Sequence, residues 1–195
     1  MDISIENIGK EQDKYLLSLK PEEEIWCTEK KLQNIIINIF PKNKIIFNKK
    51  IKDFNEKSFI PDILIEDLKL IIEFQGYKHY TDSLIVWKDI QKKEICKKHN
   101  YTFIEFPYFI QPTQEVLETL FGTLPSIRDF SGGFPHGFIH PLAVLPGNFC
   151  VTGLKRYKEL INSLSNKVQN DINNSLKKRA SVMNIPIEYI NPIAN

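Results

Sequence analysis

Apolar and polar residues change rhythm several times along this chain, and each change marks an element. Residues 21–40, PEEEIWCTEKKLQNIIINIF, place Ile25, Leu32, Ile35, Ile36 and Ile39 near helical spacing and put three acids in the first turn, where the helix dipole favours them. A helix ending near Pro41 is predicted. IIFNKKI then suggests a strand over about 44–51, and FIPDILIE and KLIIEF read as two isoleucine-rich strands separated by a tight turn at residues 66 and 67. Gly76 punctuates the second of them. A lysine-rich segment over 83–99 reads as a helix with an imperfect apolar face, TFIEFPYF as a strand ending at Pro107, and PTQEVLETLFG as a helix stopped by Gly122.

Beyond this alternation the texture changes. Residues 126–147 contain SGGFPHGFIHPLAVLPG, dense in glycine and proline, which predicts a linker. Residues 151–182 resume a polar, basic helical pattern, and IPIEYINPIAN reads as a tail. The predicted organisation is an arm over 1–20, a core over 21–125, a linker over 126–150 and a basic helical extension over 151–195. The order helix, three strands, helix, strand, helix implies an α/β sandwich around a mixed β-sheet flanked by helices. That architecture alone names no function.

Composition bounds the picture. A chain of 195 residues with 42% hydrophobic positions can bury one sizeable core. No apolar stretch approaches the roughly 20 residues of a membrane span, and the N-terminus lacks the apolar run of a secretory signal. A soluble, intracellular, cytoplasmic protein with no membrane partner is expected. Three cysteines without CxxC spacing argue for reduced thiols. The formal net charge is only +2, but residues 151–195 carry seven basic residues against three acids, and KNKIIFNKKIK at 42–52 carries five lysines and no acid. Either stretch can meet phosphates or simply form a solvated lysine face.

The chemistry concentrates in PDILIEDLKLIIEFQGYKHY, residues 61–80. Strand alternation puts Glu73 and Gln75 on one face and Ile72 and Phe74 on the other. If the two strands pair through the short turn, Asp62 lies near Glu73. Two carboxylates and a backbone carbonyl near Phe74 form an oxygen set suited to Mg²⁺, which binds oxygen at about 2.0–2.1 Å and keeps waters or phosphate oxygens in its other positions. In an isoleucine-rich setting the two acids would repel unless a cation neutralised them. The residues alone leave a second reading open, in which Asp62 caps the turn after Pro61 and Glu73 faces solvent at a sheet edge.

Pro61-Asp62 followed eleven positions later by Glu73-Phe74-Gln75 resembles the PD-(D/E)XK nuclease superfamily, with Gln75 where lysine is usual. The continuation E-F-Q-G-Y-K-H, then D-I-Q-K at 89–92, Cys96 and YTFIEFPY, is similar to the very-short-patch-repair-like small endonucleases of phages and mobile elements. T-E-K-K-L resembles that group's opening helix and maps its glutamate onto Glu29. The resemblance spans about 21–121. It implies a restriction-endonuclease-like core and a Mg²⁺-dependent endonuclease, with Mn²⁺ able to substitute, acting on double-stranded DNA. Asp62 and Glu73 become direct metal ligands, and Glu29 would hold a metal-associated water or a second ion, unless it is an ordinary first-turn glutamate. Gln75, His79 and Lys92 become catalytic, with Asp89 and Gly76 in support.

Each role has a physical basis. Gln75 can orient water through its amide but supplies neither positive charge nor a base. Its presence keeps open an alternative, a nuclease-fold module that binds DNA without cutting, or a protein retaining the fold only. Lys92 follows Asp89 by three residues and shares its helical face, so it can approach a phosphate. His79 can shuttle a proton or serve only as a structural hydrogen-bonding group. For DNA contact the candidates are Lys49, Lys50, Lys155, Arg156, Lys177, Lys178 and Arg179. One active site cuts one strand, so a double-strand break would call for a homodimer or sequential nicking. His136 and His140 have helical metal-ligand spacing with Cys150 beyond, but the surrounding glycines and prolines remove the helix that would give the spacing meaning. No phosphate-loop, dinucleotide or serine-hydrolase motif is present.

Overall fold

The computed structural model describes residues 10, 11, 14, 27–51, 59–122, 124 and 149–191. Most of the predicted arm, most of the Gly/Pro-rich linker, residues 21–26, and His136 and His140 lie outside the described residues. Helix α1, Glu29–Ile39, starts later than the helix expected from Pro21, because Thr28 is extended and caps it, its side chain accepting the Lys31 N–H at 3.2 Å. Its buried stripe of Leu32, Ile35, Ile36 and Ile39 follows the helical repeat seen in the sequence.

Four strands form one sheet in the order β1-β2-β3-β4. Strand β1 is Ile45–Phe47, shorter than expected because Asn48 takes a left-handed conformation and ends it. Strands β2, Ile63–Ile65, and β3, Leu70–Gln75, are joined by a 3-10 turn at Glu66–Leu68, with Lys69 left-handed at its end. A one-turn helix α2, Lys78–Thr81, and then α3, Ser83–Lys98, carry the chain to β4, Thr102–Pro107. The first three strands are antiparallel neighbours and β4 runs parallel to β3, so the sheet is mixed. Helix α4 is Gln114–Phe121, ended at Gly122, whose φ of +82° suits glycine.

Alternation divides the sheet's contacts between two faces. Ile63, Ile65, Leu70, Ile72, Ile104 and Phe106 join the larger core with α1 and α4, while Leu64 and Ile71 pack with Ile51 and Cys96 under α3. The imperfect apolar face of α3 has a cause: its inward stripe holds Val86, Asp89 and Cys96, so an acid takes a place that packing alone would give to an apolar side chain.

The basic C-terminal pattern is not one helix. It forms α5, Val151–Ser163, and α6, Asn166–Met183, divided where Ser165 caps the second by accepting the Val168 N–H at 3.3 Å. These helices share the larger core through Tyr157, Ile161, Val168, Ile172, Leu176, Ala180 and Met183. Nor is the tail loose, because Ile190 is buried in the same cluster. Helix α5 lies hard against α2: a Cβ at Gly153 would fall 1.8 Å from the Tyr80 carbonyl oxygen, which also accepts the Cys150 N–H at 3.1 Å. Among the described residues no helix is long and apolar enough to cross a membrane.

Candidate active site

The β2–β3 ladder sets the first contact. Ile63 faces Ile72, so one step beyond the last pair places Asp62 opposite Glu73. Asp62 does not fall in the ladder as a strand residue; its Oδ2 accepts the Phe74 N–H at 2.8 Å and takes a donor that a backbone carbonyl would otherwise fill. The side chain is thereby tethered to β3. Asp62, Leu64, Ile71, Glu73 and Gln75 share the sheet face under α3. The alternative of Glu73 facing solvent does not hold, since Glu73 is 2% exposed and Gln75 fully buried.

Lys92, from α3, donates from Nζ to Glu73 Oε2 at 2.7 Å and sits 5.7 Å from the centre of the Phe59 ring. The other Glu73 oxygen, Oε1, and both amide atoms of Gln75 are buried and have no hydrogen-bond partner among the described residues. An orphaned buried polar atom costs about 1–3 kcal/mol, so three of them on one face mark a place that a ligand or water completes. Burial pushes the Glu73 carboxyl up to about 7, with Lys92 pulling it down and Asp62 pushing it further up. Asp62 is also raised, first by burial; the Phe74 N–H lowers it, Glu29 raises it, and Lys92 and His79 lower it. Glu29, Asp62, Glu73, His79 and Lys92 therefore act on one electrostatic neighbourhood.

Glu29 sits at the first position of α1, where its Oε1 accepts from Gln33 Nε2 at 3.0 Å and Asn48 Nδ2 at 3.4 Å. Asn48 also donates its N–H to the Asp62 carbonyl at 3.2 Å. The left-handed residue that ends β1 thus ties α1 to the site. Gly76 has no positive φ, and a Cβ there would meet nothing within 4 Å, so no steric demand accounts for glycine at this position.

His79, on α2, sets Nδ1 2.6 Å from Asp89 Oδ2. Burial alone would raise the Asp89 carboxyl, but hydrogen bonds from His79 and Arg156 outweigh it and hold Asp89 below the ordinary carboxylate range. An ionised carboxylate can only accept, so His79 carries its proton on Nδ1 and Nε2 is its remaining nitrogen. Arg156 donates from Nη1 to Asp89 Oδ2 at 2.9 Å and to the His79 carbonyl at 3.0 Å, and from Nη2 to Glu105 Oε1.

This ion network changes the standing of two residues expected at a DNA surface. Arg156 is turned into the protein by Asp89 and Glu105, and Arg179 is buried on the inner face of α6. Lys49, Lys50, Lys177 and Lys178 are exposed, as is Lys155, which lies 3.8 Å from Glu159. Glu105 was not among the sequence candidates. Its signal was present: an acid inside TFIEF, in register with Glu73 across the parallel β3–β4 pair, needs a cationic partner. Arg156 adjoins the Gly153, Tyr157 and Ile161 stripe of α5, a position that charge counting alone does not reveal. Cys150 caps α5, its Sγ accepting the Gly153 N–H at 3.4 Å.

As a cation site the arrangement is lean. Among the described residues no three His, Cys, Asp or Glu side chains gather as a ligand set. Asp62 and Glu73 remain as two hard oxygen donors, and the unpartnered Glu73 Oε1 is the feature that fits a divalent ion whose other ligands are water and phosphate. No protein-family model, curated protein or solved structure matches the chain.

Proposed function

We propose that this α/β protein is a divalent-metal-dependent DNA endonuclease with a restriction-endonuclease-like core. The observation that carries the reading is the pairing of Asp62 with a buried Glu73 whose Oε1 lacks a partner, beside a fully buried Gln75 whose amide also lacks one. Asp62 and Glu73 would hold Mg²⁺ or Mn²⁺, with Glu29 beside them. When bound, the ion supplies Lewis acidity and charge neutralisation at the scissile phosphate.

The chain's own residues divide the remaining work. Gln75 orients the attacking water through its amide. His79, its Nδ1–H anchored on Asp89, offers Nε2 to take a proton from that water or return one to the leaving oxygen. Lys92 neutralises Glu73 and, once a cation shares that charge, brings its ammonium toward the phosphate. Exposed Lys49, Lys50, Lys155, Lys177 and Lys178 supply contacts to the double-stranded DNA backbone.

A second reading has its own observation. Lys92 already neutralises Glu73, so a site with Gln75 in place of lysine can stand without metal, as in a nuclease-fold DNA-binding protein that does not cut. Supercoiled plasmid incubated with the protein and Mg²⁺, Mn²⁺ or EDTA separates the two. Relaxed or linear product with metal and none with EDTA is expected. A mobility shift with no product in either metal selects the second reading.

A further inference from the structure

We propose that Arg156, carried on α5 far along the chain from the nuclease-like segment, is a positioning residue that sets His79 for proton transfer through Asp89. The inference rests on the proposed nuclease reading for its catalytic consequence, but its geometry stands independently. Asp89 Oδ2 receives both His79 Nδ1 at 2.6 Å and Arg156 Nη1 at 2.9 Å, and the same Nη1 reaches the His79 carbonyl at 3.0 Å. One nitrogen thus holds the backbone of the histidine and the acid that orients its ring.

Glu105 anchors the other end of the guanidinium, and Lys93 Nζ lies 3.3 Å from the second Glu105 oxygen. The planar fork is therefore fixed at both sides, a task that a point-charged ammonium performs poorly. Burial works against the charge of Arg156, but Glu105 and Asp89 more than offset it, so it stays a cation. Asp89, 2% exposed, would be an ion with only a histidine for company if Arg156 were absent. Helix α5 is held close enough for this contact by the glycine at 153, where any Cβ would strike Tyr80.

The arrangement also makes the test practical. Arg156 keeps 15% of its side chain exposed and lines a cavity of about 460 Å³ with Tyr80, Lys93, Glu105 and Lys155. Shortening it extends that cavity and does not empty a sealed core.

Three variants, Arg156→Gln, Arg156→Lys and Asp89→Asn, and the double variants with Asp89→Asn, are compared with wild type. The ring Nδ1–H of His79 is followed by NMR on ¹⁵N-histidine protein, which requires no cleavage. In wild type this proton should be protected from exchange; Arg156→Gln should lose the protection while backbone spectra away from α2 and α5 stay in place. In the cleavage assay, Arg156→Gln should lower kcat about 10–100-fold with KM for DNA unchanged, the range seen when partners behind a site are removed. Adding Asp89→Asn should cost no further activity, since both act along one path. Arg156→Lys, which keeps charge and stem, should fall between wild type and Arg156→Gln.

A protected His79 proton in Arg156→Gln overturns the positioning role, as does a multiplicative loss in the double variant. If Arg156→Gln does not fold, Arg156→Lys alone and with Asp89→Asn decides by the same two readouts. If wild type cuts nothing, the nuclease reading fails and the protection measurement still decides whether Arg156 orients His79.

Discussion

Glu73 binds a proton in the native protein at pH values where the unfolded chain has released it. Burial lifts its carboxyl from an ordinary 4.5 to about 7. Between those values the folded state carries more protons than the unfolded one, so in metal-free protein stability falls as pH rises through that window. The loss is on the order of 3 kcal/mol. Urea unfolding in EDTA across pH 4 to 8 should show this decline in wild type and a flatter profile in Glu73→Gln. Equal slopes would mean that Lys92 keeps the carboxylate ionised throughout. Gln75→Lys probes the neighbouring position: it would place a positive charge two residues along the same sheet face from Glu73, and cleavage should be preserved or raised. Complete loss in a folded variant would mean the pocket requires a neutral amide. At this scale the Asp62–Glu73 pairing was legible, because alternation and a short turn are local. The contact of Arg156 with Asp89 was not, because it joins positions 67 apart and depends on where α5 docks.

At the scale of elements, periodicity located α1, β2, β3, β4 and α4, since each has an apolar face matched to its repeat. It merged α5 and α6, whose division rests on the single cap at Ser165, and passed over α2, which is too short to show a period. The docking of α5 makes Gly153→Ala informative. Its methyl would lie 1.8 Å from a backbone oxygen that cannot swing aside, so the helix must move. Overpacking of this kind typically costs about 1–3 kcal/mol, and chemical denaturation should place the variant at or above the upper end. An unchanged midpoint would mean that α5 is free to shift. Helix α6 offers Lys177 and Lys178 to solvent and turns Arg179 inward. If α6 lies along the duplex, replacing both lysines with alanine should reduce the slope of log affinity against log salt by up to about 2, without altering metal dependence. An unmoved slope would assign the DNA surface to Lys49 and Lys50.

Over the whole molecule, a four-stranded mixed sheet flanked by helices carries the candidate site on one face of β2 and β3, and the C-terminal helices close over the same core. An α/β class followed from element order because helices and strands alternate along the chain. The incorporation of 151–191 into that core did not, because a basic composition describes the outer faces of α5 and α6 and says little of their inner ones. In the proposed function Asp62 and Glu73 would together hold a divalent ion on which DNA cleavage depends. Wild type, Asp62→Ala and Glu73→Ala are assayed side by side with Mg²⁺ for plasmid cleavage and, in the same buffer, for DNA binding. Both variants should retain binding close to wild type and lose cleavage by about 10²–10³-fold, the scale on which removing a transition-state charge stabiliser acts. Cleavage by either variant at a rate near that of wild type would rule out Asp62 and Glu73 as the residues that hold the ion.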